Sequence, residues 1–556
     1  MSTLNISAEP QSVRAFPTLT PPQIERIAAH GTHRQTSRGE VLVRAGDNPV
    51  PFFLVASGEV EVLRPDGDGQ KLVVTHRAGQ FSGEGNMLTG RRSLAMLRVS
   101  EPGEVIQVSR EDLLRLIQVD PELSEILLRS FILRRLLLIA GEYGDVVVVG
   151  SVHDAGTLRA KEFLTRNGHP FHYVDLDRDE GAQELLDRFH VSAADMPVLI
   201  CGTATVLRNP TTAEIAECLG YNEPVDRQHV NDVVIVGGGP AGLAAAVYAA
   251  SEGLDAMLLE ANLPGGQAGS SSRIENYLGF PTGISGLELT GRAYAQAQKF
   301  GTHVLIAKRA TGLVCDGQRR YEVLIDDGTR LRTRAVVIAS GAAYRKPAIE
   351  NLTAFEGNGV YYAATPTEAQ LCLAEEIIVV GGGNAAGQAA AFLSQTARRV
   401  RIFVRGNSLS DTMSRYLIRR IEENPAIALH THTEIVGLEG ERRLERVRWR
   451  DTRTGASATD AIGHVFMMTG AIPNTGWMNG CITLNEKGFV KTGPDLSRDD
   501  LEAARWPLSR APFILETSRP GIFAVGDVRA GNIKRVASAV GEGSMSIAFV
   551  HQVLQQ

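Results

Sequence analysis

Residues 232–242 read Asp-Val-Val-Ile-Val-Gly-Gly-Gly-Pro-Ala-Gly. A β-branched run without polar alternation suits a strand buried on both faces, and this one enters Gly237, Gly239 and Gly242 directly. The stretch LAAAVYAASEG follows, then AMLLE, ending at Glu260, 23 positions after Gly237. Strand, glycine turn, helix, strand and acid in that order make a dinucleotide cradle. Glycine permits the tight turn, the approach of a pyrophosphate to backbone and the packing of helix on strand, and the acid receives ribose hydroxyls. The pattern recurs at IIVV with Gly381, Gly383, Asn384, Ala385 and Ala386 (GGGNAA), a small-residue helix and the strand VRIFV. Here Arg405, 24 positions after Gly381, replaces the acid. A guanidinium suits a 2′-phosphate, so the second cradle is expected to favour NADPH over NADH.

Around these cradles lies a chain of 556 residues, which calls for several domains. Its composition, 43% hydrophobic and 22% charged, is that of a soluble globular protein. The net charge of −6 gives no basic field for nucleic acid or acidic lipid, so neither a nucleic acid nor a membrane is an expected partner. The N-terminus has no apolar leader, and ILLRSFILRRLLLIAG is interrupted by Arg129, Arg134 and Arg135, so a cytoplasmic protein is expected. Cys201, Cys218, Cys315, Cys372 and Cys481 form neither a CxxC pair nor a zinc spacing, so no disulfide framework is expected. His430 and His432, two apart on an expected strand, lack a third ligand, and no metal site is expected.

Two dinucleotide folds, one inserted in the other, resemble the low-molecular-weight thioredoxin reductase family over about 226–556. The resemblance is carried by PGGQA with Gly266 and Gln267, IENYLGFP with Asn276, ASGAAYRKP at 339–347 (Ser340 to Pro347 within it), TGAIPNT at 469–475, GIFAVGDVR with Asp527, and KRVASAVGEG at 534–543. It implies FAD on Gly237, Gly239, Gly242, Glu260, Gly266, Gln267, Asn276 and Asp527, with Arg535, Val536 and Ala537 near the isoalloxazine. NADPH is implied on Gly381, Gly383, Asn384, Ala385, Ala386 and Arg405. Where the family has adjacent arginines, Arg405 is followed by Gly406 and Asn407, which leaves room for NADH as well. The family's CATC disulfide and following aspartate would come after GVYY, but the chain continues Ala363, Ala364, Thr365, Pro366, Thr367. The disulfide positions are thus Ala363 and Pro366. Thr365, Pro366 and Glu368 read instead as N-cap, first-turn proline and capping-box acid of a helix, and Cys372 as a buried apolar residue.

Residues 13–120 resemble a cyclic-nucleotide-binding β-roll, through AGDNPVPFFLVASGEVEV and GQFSGEGNMLTGRRSLAMLRV, and the domain is expected to run to 143. The resemblance puts a cyclic nucleotide on Gly83, Glu84, Arg92 and Ser93. Gly85, where an aliphatic residue is usual, and a cassette about one residue short depart from the pattern. Residues 144–225 resemble a glutaredoxin or thioredoxin-like domain, with Met196 before Pro197 at its cis-proline position and Asp154 and Thr157 in place of active-site cysteines.

The expected architecture is therefore multidomain: a tail (1–12), a β-roll (13–143), a thioredoxin-like α/β domain (144–225), and nested three-layer Rossmann-like folds for FAD (226–347 and 469–556) and NAD(P)H (348–468), with YNEPVDRQHVND (221–232) as a linker. The expected function is an FAD-dependent NAD(P)H oxidoreductase without a redox disulfide, its chemistry carried by the flavin rather than by a catalytic side chain. It would pass electrons to a small-molecule or small-protein acceptor under the influence of a cyclic nucleotide. The alternatives are a cyclic-nucleotide or redox sensor on a flavoprotein scaffold and a conventional thioredoxin reductase. The resemblance also implies a homodimer.

Overall fold

The computed structural model describes residues 15–556 except 67–68, 84–86, 88–89, 141–145, 152–153, 177–194, 202–204, 272, 275, 316–319, 363, 365, 411, 442 and 479. The chain forms two compact units. One holds residues up to Gly150 with Phe163–Pro224 and Ala295–Leu305; the other holds Ser151–Glu162, Val225–Tyr294 and Ile306–Gln556.

In the first unit, helix α1 (Pro21–Ala28) precedes strands β1 (Thr32–Thr36), β2 (Val41–Val43), β3 (Phe52–Asp66), β4 (Gly69–His76) and β5 (Met96–Val108), which form one antiparallel sheet. Phe52, Leu54, Phe81 and Ile106 close its core against α2 (Arg110–Val119) and α3 (Pro121–Ala140). Apolar residues on all sides of α3 suit a helix packed on several faces. Arg134 of α3 is buried and donates to the carbonyls of Ala15, Phe81 and Gly83. Strands β6 (Val146–Gly150), β7 (Phe171–Asp175), β8 (Val198–Cys201) and β9 (Thr205–Arg208) then form a mixed sheet in the order β7-β6-β8-β9, and the Met196–Pro197 peptide is cis, as the resemblance implies. After β6 comes α4 (Ala155–Arg166), at whose start Asp154 accepts from the backbone and hydroxyl of Thr157. The two positions where thiols would stand thus form a helix cap. The resemblance to a thioredoxin-like domain implies a further helix at EGAQELLDRFH (180–190), which lies outside the described residues. Helix α5 (Thr212–Cys218) has the capping box Thr211–Glu214.

The second unit carries the two cradles. Parallel β10 (Val230–Val236) lies between β11 (Ala256–Glu260) and β15 (Arg330–Ile338), with α6 (Pro240–Ser251) between β10 and β11 in the chain. Helix α7 (Gly286–Lys299) leads to β12 (His303–Ile306), and β13 (Ala310–Cys315) and β14 (Tyr321–Ile325) extend the sheet beyond β15. A short ladder, β16 (Ala342–Tyr344) on β25 (Ala471–Pro473), joins this fold to the inserted one. There, β17 (Val360–Tyr361), α8 (Pro366–Leu371), β18 (Glu376–Val380), α9 (Asn384–Leu393), β19 (Arg399–Phe403), α10 (Arg415–Glu422), β20 (Ile427–His430) and β24 (Val465–Met467) build a parallel sheet in the order β17-β24-β18-β19-β20. Strands β21 (Thr433–Glu439), β22 (Arg446–Asp451) and β23 (Ser457–Asp460) form a separate antiparallel sheet. The chain then returns through α11 (Arg498–Ala503) to β26 (Ile522–Ala524), parallel to β15, and ends in α12 (Val536–Leu554).

Two expectations fail here. His430 ends β20 and His432 turns with φ 54, so the pair does not share a strand face. Among the described residues, no metal-holding group of His, Cys, Asp and Glu exists. Cys315 and Cys481 form a disulfide, with Cα atoms 6.4 Å apart across 166 residues of sequence. It links the two chain segments of the first dinucleotide fold around the inserted one. Sequence spacing gives no sign of it, because the two meet only where the short helical turn Gly476–Met478, just before Cys481, packs against β13. Closing so long a loop restricts the unfolded chain, an effect of up to about 5 kcal/mol. Cys315→Ser is therefore expected to lower the unfolding temperature by several degrees in scanning calorimetry while NADPH-dependent turnover is unchanged.

Candidate active site

At the carboxyl end of β10, Gly237 adopts φ +112, and a β-carbon there would lie 2.3 Å from the Ala339 carbonyl oxygen. Gly242, in the first turn of α6, faces the Gly237 carbonyl oxygen so closely that a β-carbon would sit 1.8 Å from it. Gly239 is the N-cap of α6. Gly266 lies against it, since a β-carbon on Gly266 would stand 3.1 Å from the Gly239 α-carbon. Backbone thus lines both sides of the helix N-terminus, the arrangement that binds phosphate through N–H groups and the helix dipole. Glu260, buried at the end of β11, accepts from the amides of Gly238 at 2.7 Å, Asn262 at 2.7 Å and Leu263 at 3.0 Å. Gln267 donates to the Ala342 carbonyl, and Asn276 is exposed.

Asp527 lies in the turn after β26, where burial pushes its carboxyl above the usual range. The turn is held by Glu542 of α12, which accepts from Gly526 N at 2.7 Å and from Arg529 Nε at 3.1 Å. Gly543 lets α12 touch α6, as a β-carbon there would lie 2.1 Å from the Ala241 carbonyl. Both belong to the stretch 534–543, but their roles depend on contacts distant in sequence, which no local pattern reveals. Arg535 is the exposed N-cap of α12, followed by Val536 and the exposed Ala537. In the preceding loop Asn532 has both side-chain polar atoms buried and unpartnered. A buried amide of that kind calls for a polar group to satisfy it. The glycine-lined gap, the helix ends and this amide together fit a dinucleotide with a polar ring system.

In the inserted fold Gly381 has φ +141, and a β-carbon there would be 2.3 Å from the Met468 carbonyl oxygen. Gly383 caps α9, Ala386 is buried, and Asn384 and Ala385 are exposed. The Asn384 side-chain oxygen accepts from Ser414 N at 2.7 Å, and the Thr412 hydroxyl donates to the Gly382 carbonyl at 2.8 Å. Arg405 is exposed just beyond β19. The same fold holds a cavity of about 310 Å³ whose walls include Asn407, Ser408, Ser410, Ile418, Ile421 and Leu429.

Of the two positions that the resemblance pairs with the family's CATC cysteines, Ala363 lies outside the described residues and Pro366 begins α8. Thr365 also lies outside them. Cys372 is fully buried, its thiol pushed up to about 11 by desolvation. Such a thiol is a poor nucleophile at neutral pH. The Cys315–Cys481 disulfide lies elsewhere. Cys315 is opposite Tyr321, Tyr321 opposite Thr333, and Thr333 opposite Asn231, near the amino end of β10. From Asn231 to Gly237 the strand runs six residues, about 20 Å. The bond therefore stands at the other end of the strands from the cradle.

In the β-roll, Gly83 offers its carbonyl to Arg134 at 2.7 Å, and Glu84 lies outside the described residues. Arg92 is exposed, whereas Ser93 donates its hydroxyl to the Ala95 carbonyl at 2.7 Å.

Residues 231–543 match the family model described as pyridine nucleotide-disulphide oxidoreductase, and residues 33–120 match that of the cyclic nucleotide-binding domain. A thioredoxin reductase of Mycolicibacterium smegmatis is 32% identical over 316 residues, which is 57% of this chain and 94% of that protein. One from Bacillus subtilis is 28% identical over 60% of this chain and 97% of its own. Among solved structures, Lactococcus lactis thioredoxin reductase aligns with a TM-score of 0.52 at 28% identity, covering 59% of this chain and all of its own.

Proposed function

We propose, from the premise that this chain belongs to the pyridine nucleotide-disulphide oxidoreductase family as an FAD-dependent NAD(P)H oxidoreductase of the thioredoxin reductase-like class, that it transfers electrons from NADPH to an external acceptor with no protein dithiol beside the flavin. The observation that carries this reading is the start of α8 at Pro366, where the second sulfur of a redox pair would have to stand. FAD, when bound, supplies the redox chemistry of the class.

The chain's own residues bind and orient. Gly237, Gly239, Gly242 and Gly266 would hold the pyrophosphate against backbone, Glu260 the adenosine ribose and Asp527 the ribitol. The N-terminus of α12, at Arg535 to Ala537, would set a positive end of the helix dipole beside the ring system. Gly381, Gly383 and Ala386 would cradle the second pyrophosphate, and Arg405 the 2′-phosphate. Arg405→Ala is accordingly expected to raise KM for NADPH by about tenfold or more, the scale of one charge-assisted hydrogen bond, and to leave KM for NADH nearly unchanged. Equal losses with both nucleotides in steady-state kinetics would remove Arg405 from that role.

The match of the β-roll to the cyclic nucleotide-binding domain supports a cyclic nucleotide as regulatory ligand, which Arg92 would hold. An acceptor screen on anaerobically reduced protein tests the enzymatic reading. Turnover with a quinone, dioxygen, a ferric complex or a dye supports it. A bound flavin that NADPH leaves oxidised would instead support a sensor on a flavoprotein scaffold.

A further inference from the structure

Residues 219–223 leave α5 and lead along the chain toward the strand that opens at Val230. The sequence suggests a solvated linker from Tyr221 onward, but Tyr221 is 6% exposed and stacked on Phe163, with ring centres 5.9 Å apart. Within the first unit this stretch lies on the described end of the nucleotide cassette. Arg91, 5% exposed, donates to the Asn167 carbonyl at 2.9 Å, and its guanidinium sits 3.8 Å from the centre of the Tyr221 ring. Arg92 packs against Gly220, where a β-carbon would lie 3.2 Å from its Nε. Glu223 reaches Gly90, with its Oε1 2.6 Å from the place of a β-carbon there, and lies 3.7 Å from Arg110. Arg110 in turn donates to the Met87 carbonyl at 3.2 Å.

We propose that residues 220–223 form a strap that reads the occupancy of the cassette: strap and cyclic phosphate draw on the same Arg92, so each weakens the other. The proposal rests on the reading that the β-roll binds a cyclic nucleotide. A guanidinium gives paired donors to phosphate oxygens, and a phosphate that recruits Arg92 takes it from Gly220. Arg91, one residue away, then loses its fit to the Tyr221 ring, a contact strengthened by burial. Binding and strap release are linked in both directions by the same factor. Because the strap continues into the first strand of the FAD-binding fold, its release would carry the state of the β-roll along the chain.

The test is calorimetry of the full-length protein with cyclic AMP and cyclic GMP, joined to hydrogen exchange over 213–224. Tyr221→Ala and Glu223→Gln weaken the strap, the second at an exposed side chain that folding does not need, and Tyr221→Phe keeps the stacked ring. A nucleotide should speed exchange in the strap. Tyr221→Ala should bind it at least about fivefold more tightly, Glu223→Gln more tightly by a smaller factor, and Tyr221→Phe as the wild type does. Binding by the variants where the wild type gives no heat would support the strap more strongly still. Equal affinity in wild type, Tyr221→Ala and Glu223→Gln, with unchanged exchange, would overturn the strap and leave nucleotide binding standing. No heat with any of the proteins would overturn the nucleotide reading itself, and the strap with it.

Discussion

Gly242→Ala is expected to yield a folded protein that carries almost no FAD. The added carbon would lie 1.8 Å from the Gly237 carbonyl oxygen, an overlap with backbone that no rotamer change relieves. Either the glycine turn opens or α6 moves away from the strand, and both spoil the path on which the pyrophosphate meets amide groups. Overpacking on this scale costs roughly 3 kcal/mol, about a hundredfold in affinity. Gly291→Ala is the matched control, since a β-carbon at that position of α7 meets nothing within 4 Å. The ratio of flavin absorbance to polypeptide should collapse in the first variant and hold in the second. Normal flavin content in Gly242→Ala would mean that the cradle lies elsewhere.

The second large effect is an absence. NADPH-dependent reduction of thioredoxin, the activity named for the relatives, is expected to fail with this chain. A dithiol relay needs one thiolate to receive electrons and a second thiol to resolve the mixed disulfide. Pro366 begins a helix, Cys372 is buried with its thiol near 11, and the Cys315–Cys481 bond lies at the far end of the sheet. None of these meets the requirement. The disulfide corrects the expectation of a chain without sulfur bridges, yet its place gives it the role of a staple.

Both cradles were legible because their signals are local. Gly237 to Glu260 and Gly381 to Arg405 each fit in one strand-turn-helix-strand unit, where sequence distance is close to structural distance. The helix start at Pro366 was legible for the same reason. What the sequence concealed depends on tertiary register. Cys315 meets Cys481 across an inserted fold, and Glu542 fastens a turn at Gly526 that lies 16 residues earlier. In the cassette the Arg92–Ser93 pair resembled a phosphate site, but nothing local marked Arg91 as the buried partner of Tyr221, or Ser93 as bonded to Ala95. Polar composition made 221–232 look like a free linker, while its first residue belongs to a core.

Electrons from NADPH should stop at the flavin until an external acceptor takes them. Anaerobic titration of the FAD-loaded protein with NADPH, with thiols counted before and after by a chromogenic disulfide, tests it directly. The flavin should bleach with one two-electron equivalent per FAD, the capacity of the flavin alone, and the thiol count should stay constant. Uptake of a further pair of electrons, matched by a pair of new thiols in each chain, would put a redox disulfide in the path and remove the flavin-only route.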